Sequence, residues 1–158
     1  MNDSASAPEP MAQLEIRKSA DARLDVGGLG FVAGRREADV IDGGITLYGH
    51  SALPDDEREL LRFDLFRNRP HYHAPATNEK ETEIPTTGDV TEWGIDHLTR
   101  RTAELVSQGG FQDLVARLDL ESIRRSAPAL RQLLAGLAEA TERSTFPIPA
   151  ARLAALRG

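Results

Sequence analysis

Between Gln13 and about Pro75, apolar residues come in short runs that alternate with charged ones and are separated by turn formers, the pattern of a β-meander. Leu14 and Ile16 alternate with charges, as do Leu24 and Val26. Gly27-Gly28 precedes Leu29-Gly30-Phe31-Val32, and Asp42-Gly43-Gly44 separates Ala38-Asp39-Val40-Ile41 from Ile45-Thr46-Leu47-Tyr48. Glycine at such places supplies the positive φ that tight hairpins need. The clearest strand runs from Leu61 to Arg67: Leu61, Phe63 and Leu65 fall on one face and Arg62 and Asp64 on the other. The alternation predicts one face against the core and one in water.

Beyond Pro75 the stretch Thr77 to Gly88 is polar and contains Pro85, a long loop of the kind that is either functional or disordered. After it the period becomes helical. Asp89 with Glu92 three residues on forms a capping box, and Ile95, Leu98, Thr102, Leu105 and Val106 trace an apolar stripe that stops at Gly109-Gly110. A second helix is predicted through Phe111, Leu114, Val115 and Leu118 to about Arg125. A third starts at Ser126-Ala127-Pro128 and presents Leu130, Leu133, Leu134 and Leu137. Phe146-Pro147-Ile148-Pro149 reads as a stiff connector into a short Ala/Leu helix ending at Arg157, and no strand is expected after Pro85.

Strands first and helices second give an α+β fold: a curved antiparallel β-meander followed by a C-terminal layer of helices. The expected organisation is a flexible tail at 1–11, a single domain at 12–143 with its sheet at about 13–75 and its helices at about 89–143, and a connector with a short helix at 144–158.

Composition narrows the chemistry. There is no cysteine, so disulfides, Cys-ligated zinc, iron–sulfur clusters and thiol nucleophiles are excluded, and any metal must use His, Asp or Glu. The net charge of −6 argues against a broad nucleic-acid surface. No window approaches the roughly 18 apolar residues of a membrane span. Met1-Asn2-Asp3-Ser4 lacks the basic and apolar character of a signal peptide, which predicts a cytoplasmic address. Of 19 basic residues only Lys18 and Lys80 are lysine, an accent of GC-rich bacterial genomes. Gly28-Leu29-Gly30-Phe31-Val32-Ala33 spells a dinucleotide fingerprint, but Gly34-Arg35-Arg36 follows where a helix is required.

The segment richest in chemistry is Arg69-Pro70-His71-Tyr72-His73-Ala74-Pro75. On an extended chain His71 and His73 share a face with their Cα atoms about 6 to 7 Å apart, a natural chelating pair. If the strand through Leu65 continued unbroken, both would lie on the core-facing side with Leu61, Phe63 and Leu65. A divalent metal such as Fe, Zn or Mn would want further ligands, for which His50 and Glu79 are the candidates carried forward; Glu81, Glu83 and Asp64 are also near in sequence. Arg69 is the candidate anion anchor.

His71-Tyr72-His73 followed by Glu79 resembles the first metal motif of the cupin barrels. The spacer is longer than that family uses, so the His-x-His pair is retained and the barrel is not. Arg62-Phe63-Asp64-Leu65-Phe66-Arg67-Asn68-Arg69-Pro70-His71-Tyr72-His73 resembles an uncharacterised bacterial domain of unknown function, which implies no activity. The same strand is distantly similar to the histidine-ended strand of small bacterial toxin ribonucleases. That likeness implies phosphodiester cleavage with His71 and His73 as acid and base and Arg67 or Arg69 on phosphate.

Two classes of function follow. One is a small metal-dependent or His-based enzyme with His71, His73 and Arg69 as its catalytic residues, acting on a small molecule. The other is a non-catalytic interaction protein or accessory subunit, a homodimer through its C-terminal helices, where the leucine face with Leu153 and Leu156 would need a cover.

Overall fold

The computed structural model describes residues 8–85 and 87–158, so residues 1–7 of the expected tail lie outside the described residues. At Gly27-Gly28 the backbone takes positive φ values of 62° and 88°, and the chain folds Ala22–Val26 (β2) back onto Leu29–Ala38 (β3). Asp42–Ser51 (β4) then pairs with β3, and Glu59–Phe66 (β5) with β4. His71–His73 (β6), Thr82–Glu83 (β7), Met11–Lys18 (β1) and Glu142–Pro149 (β8) complete an antiparallel sheet of order β7-β6-β5-β4-β3-β1-β8, with β2 also on β3.

Two parts of the expected layout change. Met11 already belongs to β1, opposite Pro149, and the Pro10 carbonyl accepts from the Ala150 amide at 2.8 Å. The predicted connector at Phe146-Pro147-Ile148-Pro149 is the second half of β8, a strand after Pro85 where none was expected. Proline hid it, because a residue without N–H reads as a strand breaker. β8 ends the sheet order, and at an edge the missing donors of Pro147 and Pro149 interrupt no ladder. Leu14, Ile148 and Leu153 form a small apolar cluster of their own beneath it.

The helices are Val90–Arg100 (α1), Thr102–Gln108 (α2), Gln112–Val115 (α3), Leu120–Arg125 (α4), Ala127–Ala135 (α5) and Ala150–Arg157 (α6). Asp89 caps α1 by accepting from the Glu92 amide. The first predicted helix breaks at Arg101. Just there Thr99 and Thr102 return their hydroxyls to the carbonyls of Ile95 and Leu98, at 2.7 and 2.5 Å, a back-bonding that bends helices. The second predicted helix is also split, because Asp119 leaves it to cap α4 and gives its amide to the Gly27 carbonyl at the β2–β3 turn.

Helices α1 to α5 pack on one face of the sheet, whereas α6 lies against β1 and β8 with Leu153 on Leu14 and Ile148. Leu29, Phe31, Leu47, Leu61 and Phe63 meet Ile95 and Leu98 of α1 and Leu130 and Leu134 of α5, all of them buried. Trp93 and Tyr72 close the end of this layer against Phe63. The leucines of α5 therefore find their cover within the chain; of the C-terminal apolar residues named above, Phe146 and Leu156 are exposed. Among the described residues, no helix is long and apolar enough to cross a membrane.

Candidate metal centre

Arg67-Asn68-Arg69-Pro70 does not continue the strand. The chain reverses there, since Asp42 accepts from the amides of Asn68 and Arg69 at 3.0 and 2.8 Å and Pro70 cannot extend a ladder. β6 thus returns antiparallel to β5, with Asp64 opposite His71, Phe63 opposite Tyr72 and Arg62 opposite His73. This reverses the expected parity. Tyr72 takes the core face and stacks on Phe63, while both histidines join Asp64 and Arg62 on the other. That second face is not simply open to water at this point, for Asp64, His71 and His73 are all buried.

The geometry is convergent. His71 Nδ1 donates to the Arg69 carbonyl at 2.7 Å, and His73 Nδ1 donates to the Asn78 carbonyl at 2.6 Å. Each ring is thereby held with Nε2 pointing inward, and both Nε2 atoms face the same carboxylate oxygen. Asp64 Oδ2 lies 3.0 Å from His71 Nε2 and 3.7 Å from His73 Nε2. Asp64 Oδ1 accepts from the Thr46 hydroxyl at 3.1 Å. One ligand atom from each of Asp64, His71 and His73 falls within 4.8 Å of the others, a group that could hold a metal ion.

Two further side chains bear on it. Glu81 Oε1 is 3.6 Å from His71 Nε2, and its other oxygen takes the Arg69 guanidinium at 2.9 Å. The Arg62 guanidinium lies between two members of this group, with Nη2 2.8 Å from His73 Nε2 and Nε 3.2 Å from Asp64 Oδ2. Arg62 Nε has no hydrogen bond despite its burial. The loop that carries Asn78 and Glu81 is tethered by the Asn78 side chain, which accepts from the Lys80 amide. A small cavity of 150 Å³, lined by Arg69, His71, Glu81 and Glu83 among others, gives access to His71 from the sheet edge.

Of the candidate ligands carried forward from sequence, the fold brings together His71 and His73 and leaves His50 and Glu79 outside the group. His50, on β4, stands by Tyr48 and 3.8 Å from Glu59. Glu79 is exposed, and Glu81 takes the position beside His71. Arg69 is exposed and paired with Glu81. Asp64, named from sequence only as a nearby carboxylate and not carried forward, is the residue that joins them. The signal that would have found it was the turn at Asn68-Arg69-Pro70, which makes β5–β6 a hairpin and puts Asp64 across from the histidines.

The family described as "Domain of unknown function (DUF7700)" matches residues 12–134. The chain belongs to this family. The match takes in the whole Asp64–His71–His73 group and α1 to α4, and leaves β8 and α6 outside it. No curated protein and no solved structure matched the chain.

Proposed function

We propose that this DUF7700 protein is a divalent-metal protein, with Asp64, His71 and His73 as ligands and Glu81 poised as a fourth, and that the metal serves a small-molecule reaction. One observation carries the reading: both imidazoles spend their Nδ1 protons on main-chain carbonyls, so two Nε2 lone pairs converge on one carboxylate oxygen. Two neutral imidazole acceptors facing an anion repel unless a cation lies among them. Backbone carbonyls that fix the tautomer are the usual outer support of histidine ligands. Two histidines and a carboxylate suit iron, zinc or manganese and leave coordination positions open, where a bound water is acidified or a carbonyl polarised.

A second reading rests on the Arg62 contact to His73 Nε2 at 2.8 Å. There the cation is Arg62 itself together with a proton on His71, and His71 and His73 act as acid and base without metal.

Titration of the purified chain with Zn²⁺, Mn²⁺ and Fe²⁺, followed by calorimetry and by imidazole NMR, separates the two. The metal reading expects one equivalent bound, shifts at His71 and His73, and loss of both in a His71→Ala, His73→Ala double variant that keeps its circular dichroism. Binding that is unaffected by the double substitution, or no binding, leaves the acid–base reading standing.

A further inference from the structure

The sheet face that carries Asp64, His71 and His73 continues past them across the strands. Asp64 stands opposite Thr46, and Thr46 opposite Gly34. One row along, Arg36 lies between Gly44 and Lys18. Gly34 brings no side chain to this surface; the Asp21 carboxylate and the Ser19 hydroxyl lie over it, beside a cavity of 290 Å³ whose wall includes Lys18, Arg35, Arg36, Thr46 and Tyr48.

The charges there are arranged against the sheet's own stability. Lys18 and Arg36 are directly opposite each other on neighbouring antiparallel strands, where like charges destabilise. Most other arginines of this acidic chain sit beside carboxylates, among them Arg67 by Glu37, Arg117 by Asp55 and Arg131 by Glu92. The cavity also has Asp21 and Glu142 in its wall, and Glu142 faces Lys18 from β8. Yet among the described residues no carboxylate comes within ion-pair distance of Lys18, Arg35 or Arg36. Arg35 and Arg36 are half-buried. Tyr48, also half-buried, has its hydroxyl pKa pushed up chiefly by burial, so it stays a hydrogen-bond donor at neutral pH.

We propose that this cavity binds a dianionic head group, a phosphate or a dicarboxylate, between Lys18 and Arg36 with the Tyr48 hydroxyl as a further donor. The rest of such a ligand then runs along the Gly34–Thr46–Asp64 row toward the histidines. As the substrate class of the metal centre, the idea rests on the metal reading; as an anion site it does not. An opposed cation pair becomes favourable once a doubly charged group sits between the two, and charge-assisted hydrogen bonds to such a group are strong ones.

The test is calorimetry on the full chain at low ionic strength, with inorganic phosphate in one arm and malonate in the other. The proteins are the native chain, Arg36→Gln, a Lys18→Gln, Arg36→Gln double variant, Arg152→Gln as a cation on α6 outside the cavity, and Asp64→Asn. The proposal expects one saturable site for at least one of the two anions. It expects that site to be weakened about tenfold or more in the cavity variants, a change of about one pKa unit's worth of interaction, and unchanged in Arg152→Gln. Asp64→Asn keeps the anion site whether or not it loses metal, so the two ideas fail separately. Arg36→Gln relieves a repulsion and keeps the fold. A phosphate-induced rise in melting temperature that persists undiminished in it overturns the proposal, as does the lack of saturable binding of either anion by the native chain.

Discussion

His71 Nε2 and Asp64 Oδ2 face each other at 3.0 Å across the hairpin that joins β5 to β6. They are seven positions apart in sequence, and only the reversal at Asn68-Arg69-Pro70 puts them in one row. Thr46 on β4 holds the other oxygen of the same carboxylate, so a third strand fixes the orientation of a group that the hairpin alone would leave to rotate.

Asp64→Asn retains the shape of the side chain and removes its charge. Its expected effect is a loss of metal affinity of at least about 100-fold, the upper range reached even by changes one shell further out. Competition with a chromogenic chelator measures it, and an affinity within a factor of three of the native value would exclude Asp64 as a ligand.

On the metal reading Arg62 opposes a bound cation, because its guanidinium touches His73 Nε2 and Asp64 Oδ2, two of the three proposed ligand atoms. Arg62→Gln is expected to raise metal affinity, by roughly tenfold, the equivalent of one pKa unit of repulsion. The same chelator competition reads it. In the acid–base reading, where Arg62 is the resident cation, this variant gains no metal affinity.

Thr46→Val leaves a buried carboxylate oxygen of Asp64 without its donor. The expected destabilisation is about 1 to 3 kcal/mol, the cost of an unsatisfied buried polar group, observed as a lower midpoint in urea unfolding with an unchanged slope.

Leu130→Ala opens a cavity beneath the sheet, since Leu130 is fully buried against the chain's own core. A loss of about 2 to 5 kcal/mol is expected. Because the cover is internal, the native melting temperature should not change with protein concentration. A marked concentration dependence would support a homodimer through the C-terminal helices.

Glu37 accepts two hydrogen bonds from Arg67, which, followed by the charge of the guanidinium, holds its carboxyl below the usual glutamate range. A carboxylate with a depressed folded pKa stabilises above its unfolded value, near pH 4.5, and loses that contribution as pH falls through the folded value. Half-exposed pairs of this kind contribute about 0.5 kcal/mol. The stability difference between native protein and Glu37→Gln, from urea melts at pH 7 and again at successively lower pH, should therefore be small at neutrality and shrink below pH 4.5. A difference that grows on acidification would contradict it.

The first hairpin and the start of α1 were legible because each rests on a local rule: Gly27-Gly28 supplies a turn at any tertiary address, and Asp89 caps the helix beside it in the chain. The second hairpin was misplaced, since the chain turns at Asp39-Val40-Ile41 and Asp42-Gly43-Gly44 already belong to β4, paired with Ala38, Glu37 and Arg36. β8 was not legible: it is held by pairing with β1, more than a hundred residues earlier, and its prolines are tolerated only because it lies at an edge. Whether Thr99 and Thr102 bend a helix or face solvent likewise depends on what surrounds them.

At the site, the order of residues alone places His71 and His73 on one side of an extended chain, since side-chain alternation is a property of the strand. The sequence also restricts any metal to nitrogen and oxygen ligands, because the chain has no cysteine. Which side the histidines share, and with whom, depends on how the strands pair. A reversal of four residues turned the pair away from Leu61 and Phe63 and onto Asp64, brought Glu81 rather than Glu79 alongside, and left His50 beside Glu59. The reason is that strand parity is counted along the chain, whereas a carboxylate's neighbours across a hairpin are set by where the chain turns back.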